Sequence, residues 1–164
     1  VRADLIIISG ERQDDSFDLI TRTLTKLGEI TTVDLAIEAS GRHNFGTIGP
    51  DKTPVVTLPG DPISAYISFE LFIRPMIRTL LGAATIHRPA VKAKLEKPVA
   101  SKTGLRSYIR AILSEDGASV TPLPSQDEQS TLSDANAFIA LSESDIEKSI
   151  GQEVTVVVLE RRYI

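Results

Sequence analysis

The chain has 164 residues, of which 41% are hydrophobic and 24% charged, with a formal net charge of −4, and this length allows one full domain or two small ones. The absence of cysteine excludes a disulfide scaffold and a thiolate metal site, and the two histidines argue against a histidine-rich metal site. The acidic residues leave no basic face for nucleic acid. The longest apolar runs are too short for a membrane span, and we expect no signal peptide, no membrane contact and a cytoplasmic location.

The first part of the chain predicts a strand, a helix and a second strand. Residues 5–8 are a continuous β-branched run, typical of a strand covered on both faces. Apolar residues then recur at helical spacing over residues 17–27, and Gly28 is expected to end this helix at the C′ position. Residues 33–37 alternate apolar and polar side chains, which predicts the second strand.

Residues 39–51 are rich in glycine and are predicted to form a loop, which makes His43 a surface-loop residue or, with Arg42, a residue that meets an anion. Residues 54–58 predict a third strand. A helix is expected from Pro62 to about residue 81, with a kink at Pro75. This order is typical of a layered α/β unit.

Three strands fall below the usual sheet size of about four to six. We therefore expect either that the first strands lie upstream in a longer parent protein, or that the second domain holds this unit together. The abrupt start of the chain, directly before a buried-type strand, favours a fragment of a longer protein.

The character of the chain changes near His87, where we place a domain boundary. Beyond it, short alternating segments separated by turns predict a small all-β barrel or sandwich. The predicted strands are residues 91–96, 106–114, 119–123, 137–141 and 154–159. The acidic stretch 124–134 is predicted to be a surface loop.

Residues 58–62, Leu-Pro-Gly-Asp-Pro, join the third strand to the long helix. Asp61 can cap the helix and Pro62 suits its first position. Backbone N–H groups beside the positive end of a helix bind phosphate, carboxylate or another oxyanion. An ordinary strand-to-helix turn is the alternative interpretation.

Together these motifs resemble the C-terminal half of the molybdopterin molybdenumtransferases, the family of MoeA and the gephyrin E-domain. The resemblance runs over nearly the whole chain, and its specificity lies in the order and spacing of many matches. The matching segments are residues 3–10, 18, 27–30, 58–65, 75–82, 108–110, 135–139 and 151–156.

The resemblance implies the fold class α/β, with a partial three-layer α/β molybdopterin-binding domain over residues 1–86. A small all-β barrel-like domain follows over residues 87–164. It also implies a transferase of molybdenum cofactor biosynthesis that inserts molybdate into adenylylated molybdopterin and releases AMP, assisted by Mg²⁺. The full-length parent is expected to form a homodimer and to act on a small-molecule substrate.

Site residues follow from the resemblance position by position. Asp18 and Arg110 are expected to be catalytic, and Asp18 also to bind the metal ion. The residues expected to line the pterin phosphate site are Ser9, Gly10, Arg42, Pro59, Gly60, Asp61 and Pro62.

Other roles remain open for several of these residues. Asp18 can be a carboxylate that favours the first turn of a helix. Asp14, Asp15 and Asp18 can hold Mg²⁺ together or form a solvated helix start. Arg110 can reach the site or face solvent from a barrel strand. Ser64, near the helix start, is expected to be structural.

The chain departs from the family pattern at the expected ligand site. Glu11 and Asp15 replace two glycines of the family's glycine-rich loop. Residues 38–42, Glu-Ala-Ser-Gly-Arg, replace a segment with two lysines, and Arg42 lies one position away from one of them. The alternative function is therefore a catalytically degenerate paralogue that acts as a binding or scaffold module.

Overall fold

The structure is a computed structural model, which describes residues 3–11, 15–38, 40–124 and 134–159. The chain divides into two compact units. The first comprises residues 1–35 and 39–87, and the second comprises residues 36–38 and 88–164. Each unit has a hydrophobic core of its own.

The first unit is a four-stranded mixed sheet with helices. In chain order its elements are β1 (Ile6–Glu11), α1 (Asp15–Leu27), β2 (Gly28–Asp34), β3 (Arg42–Ile48), β4 (Thr53–Pro59), α2 (Pro62–Ser68), a π-helical turn (Phe69–Ile73) and α3 (Arg74–Leu80). The strand order is β1-β4-β3-β2. Strands β1 and β4 are parallel, whereas β4–β3 and β3–β2 are antiparallel. The strands predicted at residues 5–8 and 54–58 and the helix predicted at 17–27 are confirmed.

Strand β3 contradicts the expected loop over residues 39–51. It lies inside the sheet between β2 and β4, and it carries two fully buried polar residues, His43 and Asn44. Polar residues are uncommon inside a sheet because each needs a hydrogen-bond partner there. Thr57 supplies a partner to His43 and Thr21 supplies one to Asn44, both from distant parts of the chain, so the local pattern gives little strand signal.

Two glycines allow β2 and β3 to approach each other closely. A Cβ on Gly28 would lie 2.0 Å from the carbonyl oxygen of Thr47, and one on Gly46 would lie 2.0 Å from that of Glu29. Gly28 is already the first residue of β2, so its expected role as a helix C′ residue is wrong. The second strand also lies earlier than predicted, since Ile37 makes only an isolated bridge.

The long helix is irregular immediately before Pro75. The N–H of Arg74 donates to the carbonyl of Phe69, an i→i−5 bond that closes the π-helical turn. Proline has no N–H and its ring clashes with the carbonyl four residues earlier in a regular α-helix. The irregularity predicted at Pro75 thus takes the form of a wider turn. The side chain of Ile73, at the end of that turn, is fully buried in the core of this unit.

The second unit is a closed five-stranded barrel, and its strands are the five predicted from the sequence. They are β5 (Ala90–Leu95), β7 (Ser107–Leu113), β8 (Ser119–Pro122), β9 (Ala137–Leu141) and β11 (Glu153–Val158). The order is β11-β5-β8-β7-β9, closed by the pairing of β9 with β11. A two-stranded sheet of β6 (Val99–Ala100) and β10 (Glu147–Lys148) was not predicted.

The barrel core follows the two-residue period of its strands. Ala93 and Leu95 are buried, whereas the lysines between and beside them are exposed. Asn136 completes the pairing of β7, because its side-chain oxygen accepts from the N–H of Leu113 and its amide donates to the carbonyl of Leu113. The Ala-Asn match at residues 135–136 therefore has a structural role in the barrel.

Replacement of Gly46 by alanine is expected to lower the free energy of unfolding by about 2–4 kcal/mol, because the new methyl group overlaps a backbone oxygen of β2. Urea unfolding followed by circular dichroism measures this change. Thr31→Ala, at an exposed position of β2, serves as the control and is expected to cost less than about 1 kcal/mol. Equal stability of the two variants would contradict the close strand approach.

Candidate functional site

The ends of β1 and β4 meet at one edge of the sheet. Their parallel register runs from Ile6 opposite Val55 to Glu11 opposite Pro59, and it shifts by one residue between Ile8 and Glu11. The shift places an extra residue in β1 at Ser9–Gly10, a β-bulge of the kind that re-aims the chain at sheet edges. The structure thus brings these two residues beside the loop that leaves Pro59. Open α/β sheets bind ligands outside the carboxyl ends of parallel strands.

Asp61 holds the loop after Pro59 to the start of α2. Its Oδ2 accepts from the N–H of Ser64 at 2.8 Å and from the Ser64 hydroxyl at 2.7 Å, and its carbonyl accepts from the N–H of Ala65. The predicted cap, the position of Pro62 in the first turn and the structural role of Ser64 are confirmed. The cap also has a cost for anion binding, because it uses the Ser64 N–H and places a carboxylate beside the loop.

Arg42 lies at the same edge of the sheet. It begins β3, which is antiparallel to β4, so the start of β3 lies beside the end of β4. Its Nε donates to Asp34 on β2 at 3.0 Å, and 54% and 75% of the two side chains are exposed. Such an exposed pair contributes only about 0–1 kcal/mol, so an anion can compete with Asp34 for this guanidinium.

Asp18 is exposed and lies in the first turns of α1, the helix that follows β1. Asp14 lies outside the described residues, as does the side chain of Asp15. Among the described residues, no group of three or more histidine or acidic side chains could hold a metal ion. Asp18 as a metal ligand therefore remains a prediction.

Arg110 belongs to the barrel, on β7, where only 4% of it is exposed. One of its terminal nitrogens donates to the carbonyl of Pro124 at 2.8 Å. The interpretation of Arg110 as a solvent-facing strand residue is wrong, because almost all of its surface is buried. Its catalytic role remains a prediction.

The interpretation of His43 as a surface or anion-contacting residue is also wrong. Its imidazole is fully buried, with Nδ1 2.8 Å from the carbonyl oxygen of Thr57 and Nε2 2.8 Å from the hydroxyl of Ser40. The ring stacks on Phe45 and meets Phe72 edge to face. Ser40 and His43 have the contacts of a nucleophile and its base, but neither reaches the surface, so we assign them no catalytic chemistry.

Burial determines the charge of His43. Removal from water lowers the pKa of the imidazole, and this effect outweighs the carbonyls of Thr57 and Ser40, which act in the opposite direction. Sequence reasoning missed this residue because a histidine between arginine and asparagine in a glycine-rich segment resembles a loop. The available signal was Phe45, an aromatic residue two positions later, which lies on the same face of a strand as His43.

The neighbouring residue, Asn44, links three elements on the opposite face. Its amide donates to Thr21 of α1 at 2.9 Å, its side-chain oxygen accepts from Thr32 of β2, and its N–H donates to the hydroxyl of Thr57 on β4. Successive side chains of a strand point to opposite faces. Helix α1 therefore packs on the Asn44 face, and the end of α2 packs on the His43 face.

Residues 92–159 match the family model of the MoeA C-terminal region, domain IV. The chain contains a MoeA C-terminal region. This match covers β5 through β11, the closed barrel and the small sheet beside it.

Relatives align over nearly the whole chain. Molybdopterin molybdenumtransferase 1 of Mycobacterium tuberculosis is 29% identical over 96% of this chain and 39% of its own length. Molybdopterin molybdenumtransferase 2 of the same organism is 31% identical over 95% of this chain and 40% of its own length. The chain thus spans about two fifths of the length of these curated relatives.

Solved structures agree with the fold. The crystal structure of the molybdopterin biosynthesis MoeA protein from Pyrococcus horikosii superposes with a TM-score of 0.78 at 26% identity, over 96% of this chain and 37% of that chain. A molybdenum cofactor biosynthesis protein from Pyrococcus furiosus has a TM-score of 0.69 at 22% identity, over 94% of this chain and 49% of that chain, which supports the fold alone. None of the helices in the described residues is both long and apolar enough to span a membrane.

Asp61→Ala is expected to lower the free energy of unfolding by about 1 kcal/mol, because the Ser64 N–H loses its acceptor at the start of α2. Asp61→Asn keeps an acceptor oxygen and is expected to stay within about 0.5 kcal/mol of the wild type. Chemical unfolding of the three proteins side by side measures the difference. An alanine variant as stable as the asparagine variant would show that the cap contributes nothing.

Proposed function

We propose that the chain is the C-terminal part of a molybdopterin molybdenumtransferase, which inserts molybdate into adenylylated molybdopterin and releases AMP. The observation that carries this proposal is the convergence of the β1 bulge, the loop after Pro59 and the cation Arg42 at one edge of the sheet. Relatives named for this activity, 29% and 31% identical and aligned over nearly the whole chain, give it support.

The proposed division of roles follows the geometry. The Ser9 hydroxyl, which is exposed, and the backbone amides at Gly10 and Gly60 would bind the phosphate of the substrate. Arg42 would leave Asp34 and pair with the same phosphate, since guanidinium binds such groups through two parallel hydrogen bonds.

The remaining phosphate-site residues, Pro59, Asp61 and Pro62, would shape the loop. Catalysis in such a site would come mainly from positioning and electrostatic stabilisation of the substrates. Asp18 and Arg110 stay as proposed catalytic residues, and no step is assigned to Mg²⁺.

A binding or scaffold module without catalysis is the second candidate. Two observations favour it: the Asp61 carboxylate beside the proposed phosphate position, and the pairing of Arg42 with Asp34. Both disfavour an anion at this edge. The domain limits at residues 86 and 87, the homodimer of the parent protein and the cytoplasmic location are likewise proposals.

Calorimetric titration of the chain with AMP and with molybdate tests the first candidate. We expect micromolar binding of AMP, weakened about tenfold or more by Arg42→Ala, because the variant loses a charge-assisted hydrogen bond to phosphate. Asp61→Asn, which keeps the cap and removes a negative charge, is expected to strengthen binding a few-fold.

Lys26→Ala is the matched control. Lys26 is an exposed cation in the last turn of α1, the end of the helix away from this edge, so its loss is expected to leave the AMP affinity unchanged. If the wild type binds neither AMP nor molybdate, the transferase proposal fails for this chain. Concentration-dependent self-association in sedimentation experiments would then support the scaffold role.

A further inference from the structure

The buried imidazole of His43 connects the two parts of the candidate edge. Its Nδ1 lies 2.8 Å from the carbonyl oxygen of Thr57, two residues before Pro59. Arg42 is its neighbour in the chain, and Ser40, which precedes the strand, lies 2.8 Å from Nε2. Movement of this ring would therefore shift Arg42 and the end of β4 relative to each other.

The partners of His43 determine its tautomer. A carbonyl oxygen can only accept, so Nδ1 carries the proton that is donated to Thr57. In the neutral ring Nε2 is then an acceptor, and the hydroxyl of Ser40 donates to it. The hydroxyl of Ser68 on α2 lies 3.2 Å from that of Ser40 and 3.5 Å from Nε2, so the helix takes part in the same cluster.

The ordinary pairing of β3 with β4 ends just before this cluster. Backbone register between the two strands extends as far as Phe45 opposite Val56. Beyond that pair, side chains provide the connections: the Thr57 hydroxyl accepts from the N–H of Asn44, and the Thr57 carbonyl accepts from His43. The alignment of the strand ends therefore depends on these two side-chain contacts, because the regular backbone hydrogen bonds between β3 and β4 do not extend this far.

We propose that His43 is a positioning residue that holds Arg42 and the loop after Pro59 at one edge of the sheet while it is neutral, and that its protonation releases them. The part of this inference that concerns anion affinity rests on the proposed function. The part that concerns the order of the sheet edge does not.

Every described contact of the His43 ring is uncharged. The loop supplies Ser40, β4 supplies Thr57, and α2 supplies Ser68, while Phe45 and Phe72 cover the ring from β3 and the π-helical turn.

Three charged groups near these elements, Arg42, Glu70 and Arg74, are already in ion pairs. Arg42, adjacent along β3, is exposed and bound to Asp34. Glu70, beside α2, lies 3.8 Å from Arg74. A protonated His43 would thus be a buried cation with no carboxylate among its described contacts, an arrangement that proteins avoid.

The direction of the pH effect follows from linkage. Burial lowers the pKa of His43 below its value in the unfolded chain, so the unfolded state binds more protons than the folded state in the interval between the two pKa values. The stabilisation is complete above the unfolded value of about 6.5, and it is lost progressively as the pH falls from there to the folded-state pKa.

Nuclear magnetic resonance of the wild type tests the first part. We expect the His43 ring to be the neutral Nδ1–H tautomer at about pH 7.5 and to gain a second proton as the pH falls below the unfolded-state value of about 6.5. As the pH falls, the protection factors of the Arg42 and Asn44 amides, corrected for the intrinsic exchange rate at each pH, should decrease while those of the barrel strands stay high. His87→Gln removes the only other histidine, so the imidazole signal that remains in this variant belongs to His43.

Two variants separate positioning from simple packing. His43→Asn can still donate to the Thr57 carbonyl but cannot take up a proton. We therefore expect its AMP affinity to be near that of the wild type at neutral pH. In acid, its affinity should lack the decrease that protonation of residue 43 causes in the wild type. His43→Phe keeps an aromatic ring but has no hydrogen-bond donor. We expect its AMP affinity to be about tenfold lower than that of the wild type, because only about one molecule in ten would then have the strand ends aligned for binding.

Because the phosphate of AMP also titrates near pH 6, affinities are compared between variants at each pH. A wild type and His43→Asn with the same pH profile would overturn the proposal, as would a His43 that titrates while exchange at the edge is unchanged. If the wild type does not bind AMP at any pH, the proposed function fails, and exchange alone then decides the role of His43.

Discussion

The candidate edge depends on the way β4 separates from β3 at Thr57. Up to that residue the two strands pair by their backbones, and from there the hydroxyl and carbonyl of Thr57 bind Asn44 and His43. The same residue pairs with Ile8 of β1 on its other side. All three strand ends therefore converge through one buried threonine, and loss of either polar contact would leave a buried group unsatisfied at a cost of about 1–3 kcal/mol.

Polar residues inside so small a unit specify its arrangement as well as its stability. Asn44 has partners in α1, β2 and β4, so only one placement of these elements satisfies it. His43 does the same for the loop at Ser40 and for α2 on the other face. A buried hydrogen-bond network of this kind favours a single packing, whereas an apolar core tolerates several.

The sequence was most informative where local pattern and tertiary environment agree. All five barrel strands were predicted, because their alternation matches a core on one face. The Asp61 cap was predicted because it needs only residues three positions apart. Strand β3 was missed because its buried polar residues depend on partners distant in the chain. Gly28 was assigned the wrong role because close contact with β3 is not a local property. The family resemblance suggested Arg42 as a site residue, but its exposed ion pair with Asp34 could be seen only in the structure.

The two units differ in how their sheets end. The barrel closes on itself, so its five strands present no free edge. The mixed sheet ends at β2 on one side and at β1 on the other. The outer side of β1 pairs with none of the other described strands, and its Ile7 is 41% exposed. Open edges with apolar side chains recruit further strands, including those of identical molecules. Aggregation of the isolated chain would accordingly begin at β1, and added salt, which screens the mutual repulsion of negatively charged copies, would hasten it.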